Sequence, residues 1–321
     1  MKLLSKMLLA AVLGAGVVAG AAAQSYPSRP IQVLIGFPPG GSGDIVARLV
    51  MQKMSDVTGN QFVVENRTGA GGNLAFSATA AAKPDGYTLL FSTPGIAINP
   101  SLYKKVNFTL EDFTPIALVG DAPLVLLANA TLPIKTVADL VAAGKAKPDA
   151  IRFASSGNGS SSHLAMDVLR HMTGMSYVHV PYRGGGPALV DVMSGQVDVT
   201  MLPISETLSY IREGRVVALG QSGKTRSPIA PDIPTIEEAG ITGYFSTTWY
   251  MVLGPANLPA SVVDYIQGNL SKVLKMPELQ ERLQAVGVSV INGDSRDAKA
   301  FLYAEYDRWR DLIKASGTKV E

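Results

Sequence analysis

Short apolar, β-branched runs alternate with amphipathic segments of helical period along most of this chain. The runs predict strands at 31–36, 61–64, 88–92, 113–119, 151–154, 177–181 and 197–202. The amphipathic segments predict helices at 44–58, 73–82, 137–145, 164–172 and 188–194. Alternation of this kind is typical of βαβ units, in which helices cover parallel-rich sheets. The pattern therefore predicts an α/β fold.

The last part of the chain is helical, with predicted helices at 260–274, 277–286 and 295–315, the last of them amphipathic. Two apolar linkers, 123–133 and 247–259, contain strand-like runs at about 123–128 and 248–253. If both runs cross between domains, domain 1 is discontinuous and comprises residues 24–122 and 252–321, and domain 2 comprises 123–251. Two crossings form a hinge, which is one way to close two domains around a ligand.

The N-terminus has the pattern of a secretory signal peptide over residues 1–23. Lys2 and Lys6 precede an apolar run, and Ala21-Ala22-Ala23 supplies a small-residue cleavage site. We expect the mature chain to begin near Gln24 or Ser25. No later segment forms a long apolar span free of charge, so the expected location is the bacterial periplasm, in soluble form.

Composition excludes several classes of function. The chain has 28 basic and 26 acidic residues, and loss of Lys2 and Lys6 would balance the two signs. This balance argues against binding to nucleic acid or to an anionic membrane surface. The chain has no cysteine, which excludes disulfides, thiolate metal sites, cysteine catalysis and a lipid-modified cysteine.

Two glycine- and serine-rich turns are the strongest candidates for a binding site. The first turn, 37–44 (FPPGGSGD), follows a predicted strand and precedes a helix, and the second, 155–163 (SSGNGSSSH), occupies a similar position. Such a turn leaves unpaired backbone N–H groups at the helix N-terminus, where they favour an anion. Two such turns can face one another across a cleft, although each alone could be a tight turn or a helix cap.

Other motifs in the chain are weaker. The three histidines, His163, His171 and His179, are predicted to diverge, so we expect no metal site. Residues 218–225 (ALGQSGKT) fit a relaxed phosphate-loop pattern, but the prolines that follow cannot continue a helix, so we reject that interpretation. Residues 40–44 fall one residue short of the Gly-x-Ser-x-Gly elbow of serine hydrolases because Asp44 stands where glycine belongs.

An ordered set of motifs resembles the Bug-type substrate-binding proteins of bacterial tripartite tricarboxylate transporters. The similarity covers essentially the whole mature chain and includes 26–30 (YPSRP), 37–44 (FPPGGSGD), 64–67 (VENR), 69–73 (GAGGN), 84–90 (PDGYTLL), 161–164 (SSHL), 180–189 (VPYRGGGPAL) and 195–198 (GQVD). The resemblance implies a two-domain periplasmic clamp of the Venus flytrap type, with two crossing hinge strands. It also implies that a carboxylate is held by backbone amides, hydroxyls and water, without an obligatory arginine.

Carried over by position, the resemblance and the two turns give a set of candidate ligand-binding residues: Phe37, Pro39, Gly40, Gly41, Ser42, Asp44, Asn73, Thr93, Ser156, Gly159, Ser160, Ser161, His163 and Pro203. Within this set, Asp44 is expected to brace the loop, because its carboxylate would repel an anionic ligand. Asn73 could equally cap a helix, and which of the serines caps the following helix stays open.

The expected function is capture of a small carboxylate and its delivery to the membrane permease subunits of such a transporter. The ligand could be a mono-, di- or tricarboxylate or an acidic amino acid. We expect no cofactor, no catalysis and a monomeric protein. The alternatives are an exported serine-dependent hydrolase and a receptor that passes its closed form to a membrane signalling protein.

Overall fold

Residues 26–318 of the protein are described here in a computed structural model. The predicted signal peptide, 1–23, lies outside this range. Within it the strands are β1 (Ile31–Ile35), β2 (Phe62–Asn66), β3 (Thr88–Ser92), β4 (Phe113–Asn129), β5 (Arg152–Ser155), β6 (Val178–Pro181), β7 (Val199–Pro203), β8 (Val216–Gln221), β9 (Thr247–Pro255) and β10 (Ser289–Gly293).

The helices of the same range cover both faces of the strands. They are α1 (Ser42–Thr58), α2 (Asn73–Ala80), α3 (Gly95–Leu102), α4 (Val137–Ala146), α5 (Ser161–Thr173), α6 (Gly185–Ser194), α7 (Ile204–Arg212), α8 (Ala260–Leu274), α9 (Pro277–Ala285) and α10 (Ser295–Ser316). The α/β class predicted from the sequence is therefore confirmed.

The strands form two sheet regions that share one long strand. In the first region the order is β2-β1-β3-β9-β4, with β10 also paired to β4; in the second it is β4-β7-β5-β6, with β8 also paired to β4. Strand β4 pairs with β9 as far as Pro123, and from Leu124 onward it pairs with β7 and β8. We call the parts of the molecule built on these two regions the first lobe and the second lobe.

The strand predicted at about 123–128 is present, but it is the second part of one continuous strand over residues 113–129 and not a separate element. From Leu124 to Ala128 every side chain is fully buried, which explains why the segment that connects the two sheet regions is apolar. The sheet is also more mixed than predicted. The pairs β1–β2, β1–β3, β5–β6 and β5–β7 are parallel, but every described pairing of β4 and β9 is antiparallel.

Four elements escaped the sequence prediction. Helix α3 contains Pro100, which normally ends a helix, and α7 follows Pro203 directly. Strand β8 lies where a phosphate loop was considered and rejected, and β10 is short and only partly buried. None of the helices of residues 26–318 is long and apolar enough to cross a lipid bilayer.

The topology brings five strand ends to one place. Strands β1 and β3 of the first lobe and β5, β6 and β7 of the second lobe all end beside the boundary between the two sheet regions, and each leads through a short turn into a helix. In open α/β sheets ligands bind in the crevice outside the carboxyl ends of the strands. The crevice between the lobes is therefore the candidate site.

Candidate functional site

A cavity of about 400 Å³ lies between the two lobes. The first lobe contributes the turn after β1 and Thr93, and the second lobe contributes the ends of β5, β6 and β7. Ten of the residues proposed from the sequence line this cavity: Phe37, Pro39, Gly40, Gly41, Ser42, Thr93, Ser156, Ser160, Ser161 and Pro203. Ser42 and Ser160 thus face the same space from opposite lobes.

The turn after β1 presents the N-terminus of α1 to the cavity. Gly41 is the N-cap residue, and Gly40 has a φ of 82°, a left-handed conformation that favours glycine. The backbone N–H of Gly40 donates a hydrogen bond of 3.0 Å to the carboxylate of Asp44. This bond ties the turn to the first residues of the helix.

Asp44 braces the first turn and does not line the cavity. Its carboxylate also accepts hydrogen bonds of 2.9 Å from Arg48 and from the amide nitrogen of Asn66. Burial alone would raise the pKa of Asp44, but the bonds from Arg48, Gly40 and Asn66 outweigh it and lower the pKa. The brace is therefore ionised at neutral pH.

The turn after β5 presents the N-terminus of α5. Ser160 is its N-cap: the hydroxyl oxygen accepts a bond of 3.2 Å from the backbone N–H of His163, and the hydroxyl donates one of 2.7 Å to the carbonyl of Gly157. The backbone N–H groups of Ser161 and Ser162 have no hydrogen-bond acceptor within residues 26–318. Ser160 is therefore the capping serine, and of the next two residues Ser161 lines the cavity whereas Ser162 is fully buried.

A third helix N-terminus reaches the cavity at α6. Gly184 is the N-cap residue, and Gly185, Gly186 and Pro187 of the first turn line the wall. The amides of Gly185 and Gly186 find no acceptor in the described part of the chain. Helix N-termini carry partial positive charge and orphan donors, so three of them pointing at one space make a strong anion-binding region.

The sequence prediction missed Glu206, a carboxylate on the first turn of α7 that lines the same cavity. It crosses the cleft, and its Oε1 accepts a hydrogen bond of 2.8 Å from the backbone N–H of Ser42. Its Oε2 lies so close to Gly185 that a Cβ atom there would collide with it. The carboxylate therefore occupies the N-terminus of α1 and borders that of α6.

Burial raises the pKa of Glu206 to about 7, although the amide and hydroxyl of Ser42 act in the opposite direction. No lysine, arginine or histidine among residues 26–318 forms an ion pair with this carboxylate or perturbs its pKa measurably. Glu206 follows the end of β7 by three residues, and strand ends mark the site in folds of this class. That position was the one sequence signal that could have found it.

A second cavity of about 630 Å³ adjoins the first and shares Phe37, Pro38, Ser156, Arg183 and Gly184 with it. Arg183 is exposed where the two cavities meet and forms no ion pair with the described part of the chain. On one side of this space the hydroxyl of Tyr103 donates a bond of 3.1 Å to the carbonyl of Asn158. That bond connects the two lobes directly.

Three further candidates support the turns and do not line the 400 Å³ cavity. Asn73 begins α2 and accepts a bond of 2.7 Å from the side chain of Asn99. Gly159 donates its N–H to Nδ1 of His163 at 3.3 Å, and the ring of His163 is buried. The side chains of Asn73 and His163 are directed into loop packing, and Gly159 contributes only its backbone N–H, which sequence spacing does not reveal.

The prediction that the histidines diverge is wrong for His163 and His179, whose rings stack at 4.0 Å. They meet because β6 lies beside β5, which leads into α5. Burial lowers the pKa of both rings, to about 4 and about 3, so both are neutral at physiological pH. Within residues 26–318 no group of three or more metal-ligating side chains is placed to hold a metal ion.

The candidate serines lack the partner that a hydrolase needs. The hydroxyl of Ser160 is hydrogen-bonded to Gly157 and the backbone of His163, and Ser42 contacts Glu206. The serine that does meet a histidine is Ser155, 2.6 Å from Nε2 of His179, and it is fully buried and lines neither cavity. A nucleophile needs both a base and access to its substrate.

Two sheet-based lobes with an anion-binding cleft between them define an extracytoplasmic solute-binding protein. Residues 46–318 match the family model described as "Tripartite tricarboxylate transporter family receptor". The protein BugT of Bordetella pertussis is 34% identical over 324 residues, with 98% of each chain covered.

Solved structures show the same fold. Rpa4515 of R. palustris, solved with adipate, has a TM-score of 0.88 and 30% identity, covering 92% of this chain and 99% of that one. MatC of Rhodopseudomonas palustris, solved with bound malate, has a TM-score of 0.83 and 31% identity, covering 90% and 100%. The chain belongs to the tripartite tricarboxylate transporter receptor family, as its motifs indicated. The members of this family are substrate-binding proteins.

Proposed function

We propose that this protein captures a small organic carboxylate in the cleft between its lobes and delivers it to the membrane permease of a tripartite tricarboxylate transporter. One observation carries this proposal: three helix N-termini converge on one cavity, and the amides of Ser161, Gly185 and Gly186, which line it, have no acceptor among residues 26–318. The bound adipate and malate of the two relatives are ligands of the same chemical class. We also propose that the permease subunits of such a transporter are its partners, that it acts in the periplasm and that it is a monomer.

Binding in this scheme proceeds by closure of the lobes. A ligand whose carboxylate is held by α5 of the second lobe and whose other atoms contact the first lobe bridges the cleft, and its contacts with both lobes exist only when the lobes are together. Such differential contacts shift the population toward the closed state. The bond between Tyr103 and Asn158 joins one residue from each lobe and supports contact between these two surfaces in the closed state.

A thermal-shift screen of mono-, di- and tricarboxylates tests the proposal, because a ligand that binds the folded state raises the melting temperature. We expect at least one carboxylate to do so, and amines and neutral sugars to have no effect. If sugars or amines stabilise the protein and no carboxylate does, the proposed ligand class is wrong.

Substitutions at the start of α5 distinguish the backbone amide expected to bind the ligand from the side chain that caps the helix. Ser161→Pro deletes an amide donor at the first helical position, where proline is tolerated, and Ser160 already has the extended ψ of 159° that precedes proline readily. We expect the affinity to fall about 10-fold, the scale of a hydrogen bond to a charged group. Ser160→Ala should instead cost about 1 kcal/mol of stability as a lost cap. Ser161→Ala, which keeps the amide, is the matched control, measured by calorimetry.

A further inference from the structure

Because of the side chain of Glu206, the three helix N-termini of the cleft are not equally available to an anionic ligand. Its carboxylate takes the Ser42 amide of α1 and lies against Gly185 of α6, so negative charge is already present at two of the three helix N-termini. The amides of Ser161 and Ser162 on α5 have no such occupant among residues 26–318. A ligand carboxylate therefore finds its free donors at α5.

The part of a ligand that faces Glu206 meets a carboxylate with no basic partner. Arg183, the exposed base of the cavity wall, forms no ion pair with Glu206, and no lysine or histidine of the described chain does so. A buried charge without a partner is costly, and a ligand cation beside it would regain much of that cost. A second ligand carboxylate in the same position would add repulsion instead.

We propose that Glu206 is a specificity-determining residue that takes the protonated amino group of the ligand, so that the cleft prefers amino carboxylates to carboxylates lacking the amine. This inference rests on the proposed function, because it assumes that the ligand carboxylate binds at α5. A zwitterionic ligand carries both charges, and Ser161 of α5 and Glu206 line the same cavity. The raised pKa of Glu206 is what a carboxylate without its cationic partner would show.

The test compares ligands that differ only by an amino group: succinate with aspartate, glutarate with glutamate, and propionate with alanine. Affinities are measured by isothermal titration calorimetry at about pH 8, where Glu206 is ionised. With the exported full chain we expect the amino member of the best-binding pair to bind at least about 10-fold more tightly.

In Glu206→Gln, which keeps the size of the side chain and an oxygen for the Ser42 amide, this preference should fall to within about 3-fold. Glu213→Gln, at the exposed end of α7, removes the same charge outside the cleft and should keep the full preference. Circular dichroism and the melting temperature check that both variants fold, and Glu206→Ala is the second variant if the glutamine does not.

Equal binding of both members of each pair by the wild type would overturn the role of Glu206 and leave the carboxylate receptor intact. This comparison uses only the wild-type protein, so it tests the inference even if the Glu206 variants do not fold. An amino preference that persists undiminished in Glu206→Gln would also overturn it. If none of the six ligands and no tricarboxylate binds wild type or Glu206→Gln, both the inference and the proposed function fail.

Discussion

The contact between Glu206 and Ser42 has two opposing effects on the stability of the protein. The carboxylate satisfies an orphan amide of α1, which stabilises the closed arrangement, but it does so in a partly buried place without a cation. Removing water from an unpaired charge costs more free energy than a single neutral hydrogen bond contributes. Glu206 should therefore cost the unliganded protein stability whenever it is ionised.

This cost gives a pH-dependent prediction. Because folding raises the pKa of Glu206 from 4.5 to about 7, the folded state binds the proton more tightly, and stability is lost as the pH rises through this interval. Relative to Glu206→Gln, the wild-type free energy of unfolding should fall by up to about 3 kcal/mol between about pH 4.5 and about pH 8. Urea denaturation at the two pH values measures it.

The comparison with Glu206→Gln cancels the titration of every other group, including the buried Asp121, whose pKa burial also raises. Glu213→Gln is the control, since it removes a glutamate whose side chain is exposed at the end of the same helix. A constant difference between wild type and Glu206→Gln across the same range would contradict the prediction.

At the residue scale, the sequence predicted the positions that local backbone conformation determines and missed the side-chain directions that tertiary packing determines. The positions of Ser42 and Ser161 at helix starts follow from glycine-rich turns after apolar strands. Whether a side chain then faces the cavity, as Ser161 does, or a neighbouring loop, as Asn73 and His163 do, depends on tertiary contacts. Glu206 was missed because the helix that carries it, α7, was itself not predicted.

At the scale of elements, the first turn of α6 shows how a glycine makes room for another chain segment. Gly185 packs against the Glu206 carboxylate and Leu202, whereas a Cβ atom on Gly186, one residue later, would meet nothing within 4 Å. Both glycines have φ values that any residue can adopt, since neither is left-handed. They therefore differ in surroundings and not in backbone conformation.

This pair makes a matched test. Gly186→Ala should be neutral or stabilise the protein by up to about 1 kcal/mol, as alanine does in helices. Gly185→Ala should destabilise it by about 1–3 kcal/mol, because the new methyl group displaces Glu206 from the Ser42 amide. In a Glu206→Ala background the Gly185→Ala penalty should vanish, which a double-mutant cycle of chemical denaturation measures. An unchanged penalty would show that Leu202, and not Glu206, limits the space.

Elements with strong periodicity were predicted well, and α8 and β3 were placed at their observed bounds. The failures have local causes. Helix α3 was not predicted because it contains Pro100. Strand β10 was not predicted because its alternating pattern covers only five residues, too few to distinguish it from a loop. Strand β4 was divided in two because residues 120–123 (GDAP) interrupt its apolar run, although Pro123 stays paired with Thr247 of β9.

At the scale of the whole molecule, the direct hydrogen bonds across the cleft are few. Ser42 to Glu206 is one and Tyr103 to Asn158 is another, and the second involves no charge. If the lobes close as proposed, these two bonds are among the contacts that would form. The sequence predicted two lobes from the two apolar crossings, but it could not give these contacts.

Tyr103→Phe tests this balance because it removes the neutral bond and leaves the ligand contacts in place. We expect the affinity for the best carboxylate of the thermal-shift screen to fall about 2–10-fold, the scale of one hydrogen bond. In small-angle X-ray scattering the unliganded variant should have a larger radius of gyration than unliganded wild type. Tyr303→Phe, which removes a tyrosine bond to Glu111 within the first lobe, is the control. Wild-type affinity and radius in Tyr103→Phe would refute the expectation.

The register of β4 and β9 has a consequence for engineering and for evolution. Pro123, where the chain enters the second lobe, is the direct strand partner of Thr247, where it returns. Partners on adjacent antiparallel strands are about 5 Å apart. The segment 124–246 therefore has neighbouring ends, and we expect that it can be exchanged between relatives at this one pair of positions. A chimaera made there would carry Glu206 and the α5 and α6 donors into a new host as a single genetic unit.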